Sequence, residues 1–110
     1  MAAYIPQQGD FVVVSFDPKS GHEQSGCLSA LVISKNLFNQ KTGLAFVCPL
    51  TKTFRNYPFH LPVHAERVTG FVMIEQIRSI DFRARNTKFI GKASPDLLAE
   101  AQALLDACIY

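Results

Sequence analysis

The apolar residues of this chain lie in short runs, and stretches rich in Gly, Pro, Ser and charged residues separate the runs. Runs of this length with turn residues between them are typical of β-strands. We therefore predict strands at residues 11–16, 30–33, 44–48, 59–63, 71–74, 78–82 and 90–91. Proline cannot donate a backbone hydrogen bond to a sheet, so Pro49 should end the third strand and Pro62 should place the fourth at an edge.

Helical periodicity marks the end of the chain. Ser94 should be the N-cap of a helix, with Pro95 at its first position and Asp96 complementing the helix dipole. The residues that follow place an apolar stripe on one helix face, which should dock on the sheet. The stripe consists of Leu97, Leu98, Ala101, Leu104, Leu105 and Cys108. A single helical turn is also expected within residues 34–43.

Length and composition indicate one domain. The chain has 110 residues, of which 48% are hydrophobic, and this is enough to build a core. Many short strands followed by one terminal helix predict a mainly β fold, a small and strongly bent barrel with a C-terminal α-helix, over residues 1–110. No run approaches the roughly 20 apolar residues that a membrane span needs, and the first residues do not have the pattern of a signal peptide.

The cysteines and histidines favour a protein without a metal or a cofactor. Cys27, Cys48 and Cys108 are widely spaced and form no C-x-x-C motif, which argues against a disulfide framework and against a zinc site. Reduced thiols in a cytoplasmic protein fit this spacing best. His60 and His64 are four residues apart, but Pro62 between them argues against a metal pair on a helix.

The charges are distributed unevenly. The net charge is +2, yet ten of the eleven Lys and Arg residues lie within residues 35–92, where only three residues are acidic. A basic middle between acidic ends suggests a polyanion partner, although a solvated surface gives the same pattern. Phe54 and Tyr57 lie among these cations, an arrangement typical of single-stranded RNA binding, unless both rings belong to the core. The candidate RNA-binding cations are Lys52, Arg55, Arg83 and Arg85.

A polar segment joins the first two predicted strands, and it is too long for a tight hairpin. Loops of this length in a small domain are often binding or catalytic loops. It carries F-D-P at residues 16–18 and E-Q-x-G at residues 23–26, after an early Gly9-Asp10. Further short motifs follow in order: N-Q-K-T-G at 39–43, C-P-L-T at 48–51, Y-P-F at 57–59, Q-I-R-S-I at 76–80 and R-A-R at 83–85. This series resembles the MazF/PemK toxins, the ribonuclease halves of bacterial toxin–antitoxin pairs.

The resemblance implies a fold and an activity. The fold would be an SH3-like small β-barrel of the PemK/CcdB kind, usually a homodimer. The activity would be sequence-specific cleavage of single-stranded mRNA, in which the 2′-hydroxyl attacks its own phosphate without a metal or other cofactor. The implied protein partner is an antitoxin whose flexible acidic tail covers the basic groove.

The resemblance also implies site residues. Thr51 matches the family's catalytic Thr, and Glu23 would lie at the active site. Gln76 and Ser79 match positions that contact bases, and Gln24 completes the predicted RNA-binding set. Without the resemblance, Thr51 would be interpreted as a structural residue at a strand end, and Glu23 as a surface carboxylate.

One departure bears on catalysis. The family's E-Q-x-G is followed by any residue and then Arg-Pro, whereas this chain has Leu28 and Ser29 at those two positions. Arginine supplies charge and two parallel donors to phosphate, and leucine supplies neither. We therefore predict that this chain cuts RNA poorly or not at all. The alternatives are an inactive variant that still binds RNA and antitoxin, a histidine acid–base pair drawn from His22, His60 and His64, and a CcdB-like gyrase poison.

Overall fold

Strands dominate the described part of the chain, residues 3–15 and 27–110 of this computed structural model. Two α-helices and one short 3-10 helix, Ile74–Gln76, accompany them. The strands are β1 (Asp10–Ser15), β2 (Cys27–Val32), β3 (Leu44–Thr51), β4 (His60–His64), β5 (Thr69–Met73), β6 (Arg78–Asp81) and β7 (Lys88–Lys92). The helices are α1 (Asn36–Thr42) and α2 (Pro95–Ile109). The prediction of a mainly β fold with a C-terminal helix is confirmed.

The strands form one antiparallel sheet in the order β4-β5-β3-β2-β1-β7, and β6 pairs with β3. On one side β3 pairs with β2. On its other side the first half of β3 pairs with β6 and its last two residues pair with β5. Because β3 serves two ladders that diverge, the sheet curls around it. β4 is an edge strand and contains Pro62, as the sequence predicted.

Both faces of the central strands are buried. One face packs on α2 and the β4–β5 hairpin through a cluster that includes Phe11, Leu31 and Leu50. The other face packs beneath Phe82 and the N-terminal segment through Val12 and its neighbours. A strand buried on two faces has apolar residues at consecutive positions, which explains the nearly unbroken apolar run of β1.

The Gly9-Asp10 motif has a structural role. Asp10 is buried, and its carboxylate accepts hydrogen bonds from the Tyr4 hydroxyl and from Lys92 Nζ, the latter at 2.6 Å. Burial, together with the hydrogen bond and charge of Asp10, raises the pKa of Tyr4, so the phenol remains protonated as the donor. This contact ties the N-terminal segment to the sheet between β1 and β7.

The C-terminal helix begins as predicted and docks with a shorter stripe than predicted. The Ser94 hydroxyl accepts a hydrogen bond from Leu97 N at 3.1 Å, and Pro95 is the first helical residue. Ala101 is fully buried, and the four leucines of the predicted stripe pack against the core around it. Cys108 was wrongly included in this docking stripe, because it is exposed near the end of α2.

Several predicted element bounds were wrong. β3 continues through Pro49 to Thr51, since residues 48 and 49 lie between the β6 and β5 ladders, where a missing N–H costs little. β2 begins three residues earlier than predicted, at Cys27, because residues 27–29 pair with β1 despite being only partly apolar. α1 has seven residues rather than a single turn. Within the described residues, neither helix is long and apolar enough to cross a membrane.

Candidate functional site

Leu28 and Thr51 meet at one end of the sheet. β2 and β3 are antiparallel with Ala30 opposite Pro49, so extending this register by two residues brings Leu28 opposite Thr51. Both side chains are half-buried, and both line a cavity of about 330 Å³. Lys52 lines the same cavity and is exposed. The structure therefore brings together Thr51, the predicted catalytic residue, Leu28, which occupies the position of the family's Arg, and Lys52, a predicted RNA-binding cation.

The Thr51 hydroxyl is oriented by the chain that follows it. Its oxygen accepts a hydrogen bond from Thr53 N at 3.2 Å. An oxygen that accepts in this way retains its own hydrogen for donation, and a phosphate oxygen in the cavity is a suitable acceptor. Thr51 can therefore hold a phosphate, while Lys52 beside it supplies positive charge.

Gly70 permits the close approach of β5 to the end of β3. Its φ of +145° disfavours other residues, and a Cβ at this position would lie 2.6 Å from the carbonyl oxygen of Thr51. Sequence reasoning missed this residue. The available signal was a glycine next to a strand-like apolar run, a feature that often marks close backbone contact.

The predicted basic residues lie on different elements, and among the described ones Lys52 alone lines the Thr51 cavity. Arg83 and Arg85 lie in the turn between β6 and β7, and the backbone carbonyl of Arg85 accepts a hydrogen bond from Ser15 N at 2.9 Å. Ser15 pairs with Cys27, the residue before Leu28, so Arg85 lies near the start of β2, whereas Asp81 before the turn pairs with Leu44 at the other end of β3. Arg83 places its guanidinium 5.7 Å from the centre of the Phe82 ring.

Other predicted site residues lie elsewhere. Ser79 is on β6 opposite Phe46, towards the far end of β3 from Thr51. Gln76 is in the 3-10 helix, and neither side chain lines the Thr51 cavity. Glu23 and Gln24, like His22, lie outside the described residues, so their roles remain predictions.

The remaining histidines do not join Thr51. His60 Nε2 lies 3.0 Å from Glu75 Oε2, and neither His60 nor His64 lines the Thr51 cavity. Burial raises the pKa of the Glu75 carboxyl, but hydrogen bonds and the charge of His60 outweigh this effect and hold that pKa below its ordinary value. Among residues 3–15 and 27–110, no cluster of three His, Cys, Asp or Glu side chains could hold a metal ion.

Phe54 and Tyr57 are not core residues. Their exposed fractions are 68% and 47%, so the alternative that assigned these rings to the core was wrong. Arg55 lies between them in sequence. All three residues line a second cavity, which shares no lining residue with the Thr51 cavity. Exposed rings beside a cation are a feature of surfaces that bind single-stranded nucleic acid.

Comparison with known proteins decides the family. Residues 7–109 match the family model described as PemK-like, MazF-like toxin of type II toxin-antitoxin system. The chain belongs to the PemK/MazF toxin family. The family resemblance seen in the order of the sequence motifs is thereby confirmed, and the match spans all the elements described above.

Individual members of the PemK/MazF family are similar over almost their whole length. The chain is 42% identical to the endoribonuclease toxin ChpB of Escherichia coli K12, with 94% of this chain and 93% of that protein covered. It is 33% identical to the endoribonuclease toxin MazF of the same strain, with 99% and 98% covered.

Solved structures of the PemK/MazF family have the same fold. MazF from Deinococcus radiodurans superposes with a TM-score of 0.85 at 37% identity, and 97% of this chain and 98% of that chain are covered. A MazE-MazF crystal structure from the same organism gives a TM-score of 0.87 at 34% identity, with 96% and 97% covered. The predicted PemK-like barrel with its C-terminal helix is therefore confirmed.

Proposed function

We propose that this PemK/MazF-family chain is the toxin of a type II toxin–antitoxin pair and acts on single-stranded RNA as a sequence-specific endoribonuclease. The observation that carries the proposal is the Thr51 cavity, where a hydroxyl donor and Lys52 lie beside the position of the family's Arg. The relatives named as endoribonuclease toxins support the same assignment.

The proposed reaction needs no group from outside the protein and the RNA. The ribose 2′-oxygen attacks the adjacent phosphorus, the bond to the 5′-oxygen of the next nucleotide breaks, and the products carry a 2′,3′-cyclic phosphate and a 5′-hydroxyl. A base takes the 2′ proton and an acid supplies the proton that the leaving oxygen needs. Thr51 donates to a non-bridging oxygen, and Lys52 balances the charge that develops there. Glu23 remains the predicted participant in placing the substrate.

Leu28 favours a second, related function. Its side chain lines the cavity, where it offers apolar surface in place of charged donors. The second candidate is therefore an inactive form that binds RNA and antitoxin but does not cleave the RNA. Both candidates bind RNA and antitoxin, and they differ in whether the bound RNA is cleaved.

The proposal includes a protein partner and a second copy of the chain in the cytoplasm. Solved MazE-MazF structures support an antitoxin partner, and an acidic tail would complement the basic turn that carries Arg83 and Arg85. We expect a homodimer, since exposed apolar residues such as Phe46 and Ile109 remain on the single chain. Light scattering at micromolar concentration measures this, and a monomer would contradict it.

The activity is tested with purified protein and a long single-stranded RNA in EDTA. Discrete cuts at one short sequence, with cyclic phosphate and 5′-hydroxyl ends, are the expected result, and they should accumulate slowly because Leu28 stands at the position of the family's Arg. Tight binding without cuts supports the second candidate. Failure to bind RNA, together with inhibition of DNA gyrase in a supercoiling assay, would replace both with the CcdB-like alternative.

A further inference from the structure

A second cavity adjoins the Thr51 site. It has a volume of about 320 Å³, and its lining includes four rings, those of Phe54, Tyr57, His60 and Phe71. Phe71 is the direct β5 partner of Thr51, so one of these rings stands beside the proposed reaction site on the same sheet face. The strand end at Thr51 leads in three residues to Phe54. The two cavities therefore adjoin along the chain and across the sheet.

The rings form two contacting pairs. Phe54 and Phe71 have ring centres 5.6 Å apart with an angle of 52° between the planes, and Tyr57 meets His60 edge to face at 5.0 Å. Phe71 and His60 are the supported members, since each sits in a strand, whereas Phe54 and Tyr57 expose much of their surface. Rings that are held in place on one side and exposed on the other offer a flat surface to a ligand.

His60 also has an unused hydrogen-bonding atom. The side chain is only 6% exposed, and Nε2 is engaged with the Glu75 carboxylate. Nδ1 is buried and has no partner among the described residues. A buried polar atom without a partner is uncommon in proteins, and a bound ligand that carries donors and acceptors can satisfy it.

The positive charges beside the rings favour one class of ligand. Arg55 lines this cavity and Lys52 lines the neighbouring one, so each of the two cavities has a cation in its wall. A ligand that alternates anionic groups with flat, hydrogen-bonding rings matches this arrangement, and single-stranded RNA has that composition. An acidic peptide would match the cations alone.

On the basis of the proposed function, we infer that this cavity is a nucleobase subsite. The base of a nucleotide next to the cleaved phosphate leaves the RNA stack and enters between the Phe54 and Tyr57 rings. The edge of the base meets His60 Nδ1, and the phosphates on either side of that nucleotide lie at Lys52 and Arg55. The subsite holds the strand so that the adjacent phosphate is placed at Thr51.

The test compares ring variants in RNA binding. The probe is a fluorescein-labelled 20-nucleotide single-stranded RNA of randomised sequence, with 2′-fluoro sugars to prevent cleavage. Its dissociation constant is measured by anisotropy for the parent and for Phe54→Ala, Tyr57→Ala, Phe54→Leu and Phe54→Trp. Phe89→Ala is the matched control, because it removes an exposed ring on β7 that lines neither cavity.

Stacking of a base on the Phe54 and Tyr57 rings predicts a distinct pattern of dissociation constants. The two Ala variants and Phe54→Leu should bind the RNA about 5-fold to 150-fold more weakly, since Leu keeps apolar surface but has no ring. Phe54→Trp and Phe89→Ala should bind within about 2-fold of the parent. A 20-unit abasic ribose-phosphate strand, which has no bases, should bind the parent and all variants alike.

The failures are distinguishable. If the parent binds RNA and the Phe54 and Tyr57 variants bind it equally well, the subsite is overturned while the proposed function stands. If Phe54→Leu behaves as the parent but Phe54→Ala does not, the cavity takes a generic apolar group such as a peptide side chain, and the inference is wrong. If the parent binds neither RNA nor the abasic strand, the proposed function itself fails and the subsite fails with it.

Discussion

At the scale of single residues, position 28 is where this chain departs from the family's catalytic pattern. Leu28 lies within β2, opposite Val14 and in the wall of the Thr51 cavity. A side chain on a paired strand is held in place more firmly than one on a loop, so a replacement at this position should point into the same cavity. The chain thus retains the place for an arginine while lacking the arginine.

Leu28→Arg should raise the rate of RNA cleavage. One well-placed arginine in phosphoryl transfer is worth roughly 10³–10⁵ in rate, because it stabilises transition-state charge with two aligned donors. Single-turnover cleavage of one RNA measures the change. Leu28→Lys supplies charge without the fork and should give a smaller gain, whereas Leu28→Met supplies neither and should match the parent.

Thr51→Ala in the Leu28→Arg background should remove most of that gain. Cleavage by the unaltered chain at the speed of Leu28→Arg would contradict the prediction. So would a Leu28→Arg protein that binds RNA and stays inert.

Gly70 sets the position of Thr51 through its backbone. A methyl group at Gly70 would lie within 2.6 Å of the Thr51 carbonyl, at a φ that other residues rarely adopt. Gly70→Ala should therefore lower the free energy of unfolding by about 1–3 kcal/mol and weaken cleavage, because the end of β3 must shift. Urea denaturation and cleavage assays measure both effects.

Gly91 provides the matched control for this change. It lies in β7, its φ is outside the left-handed region, and a Cβ there would meet nothing within 4 Å. Gly91→Ala should leave the unfolding free energy within about 0.5 kcal/mol of the parent. Equal effects of the two substitutions would show that neither the positive φ of Gly70 nor its contact with the Thr51 carbonyl is responsible for the loss of stability.

At the scale of elements, β3 and α2 organise the domain. β3 is the longest strand and the only one of the described strands that pairs with β2, β5 and β6, so it carries the curl that ends at Thr51. α2 closes the opposite side of the core and depends on a clean start at Ser94, because the chain turns there directly from β7 into the helix.

Ser94→Ala should destabilise the domain by about 1 kcal/mol, since the hydrogen bond to Leu97 N is lost and a helix-end donor is left without this partner. Denaturant unfolding at fixed protein concentration measures the loss. Gln102→Ala, an exposed change in the middle of the same helix, should be neutral or slightly stabilising. A Ser94→Ala protein as stable as the Gln102→Ala protein would contradict a role for the cap.

At the scale of the whole molecule, charge and topology act together. The cations crowded into residues 35–92 are spread over the strands and turns, and only part of them reaches the Thr51 end of the sheet. α1, with Lys41 in its last turn, lies before β3, at the end of that strand away from Thr51. The turn that carries Arg83 and Arg85 begins at the same end, after Asp81, but the hydrogen bond from Ser15 N to Arg85 O ties it to the β1–β2 pair beside Cys27, which α1 does not reach.

Arg83→Ala with Arg85→Ala should weaken RNA binding and reduce its dependence on salt. Each phosphate contact with single-stranded RNA contributes roughly 0.7 to the slope of log affinity against log salt, so two lost contacts should reduce the slope by about 1.4. Anisotropy titrations at several salt concentrations measure it. Lys35→Ala with Lys41→Ala removes the same charge near α1 and should change the slope far less. Equal slopes in the two double variants would place the RNA elsewhere.

The sequence by itself determined the features that depend on neighbouring residues along the chain. Alternating and continuous apolar runs predicted the strands, Ser94 and Pro95 predicted the start of α2, and the order of short motifs predicted the family. These signals are local, because propensity, capping and periodicity act within a few residues. The family's motif pattern also identified Thr51 and position 28 as candidate site residues, but it did not show which residues they contact.

The tertiary structure alone decided which residues meet. It placed Leu28 in a paired strand facing the Thr51 cavity, kept Pro49 inside β3, left Phe54 and Tyr57 exposed, and made Gly70 a contact of Thr51. Strand register and the curl of the sheet set each of these outcomes, and both arise from pairing between residues far apart in sequence. A local pattern identifies a strand, but only the curled sheet determines which side chains share a cavity.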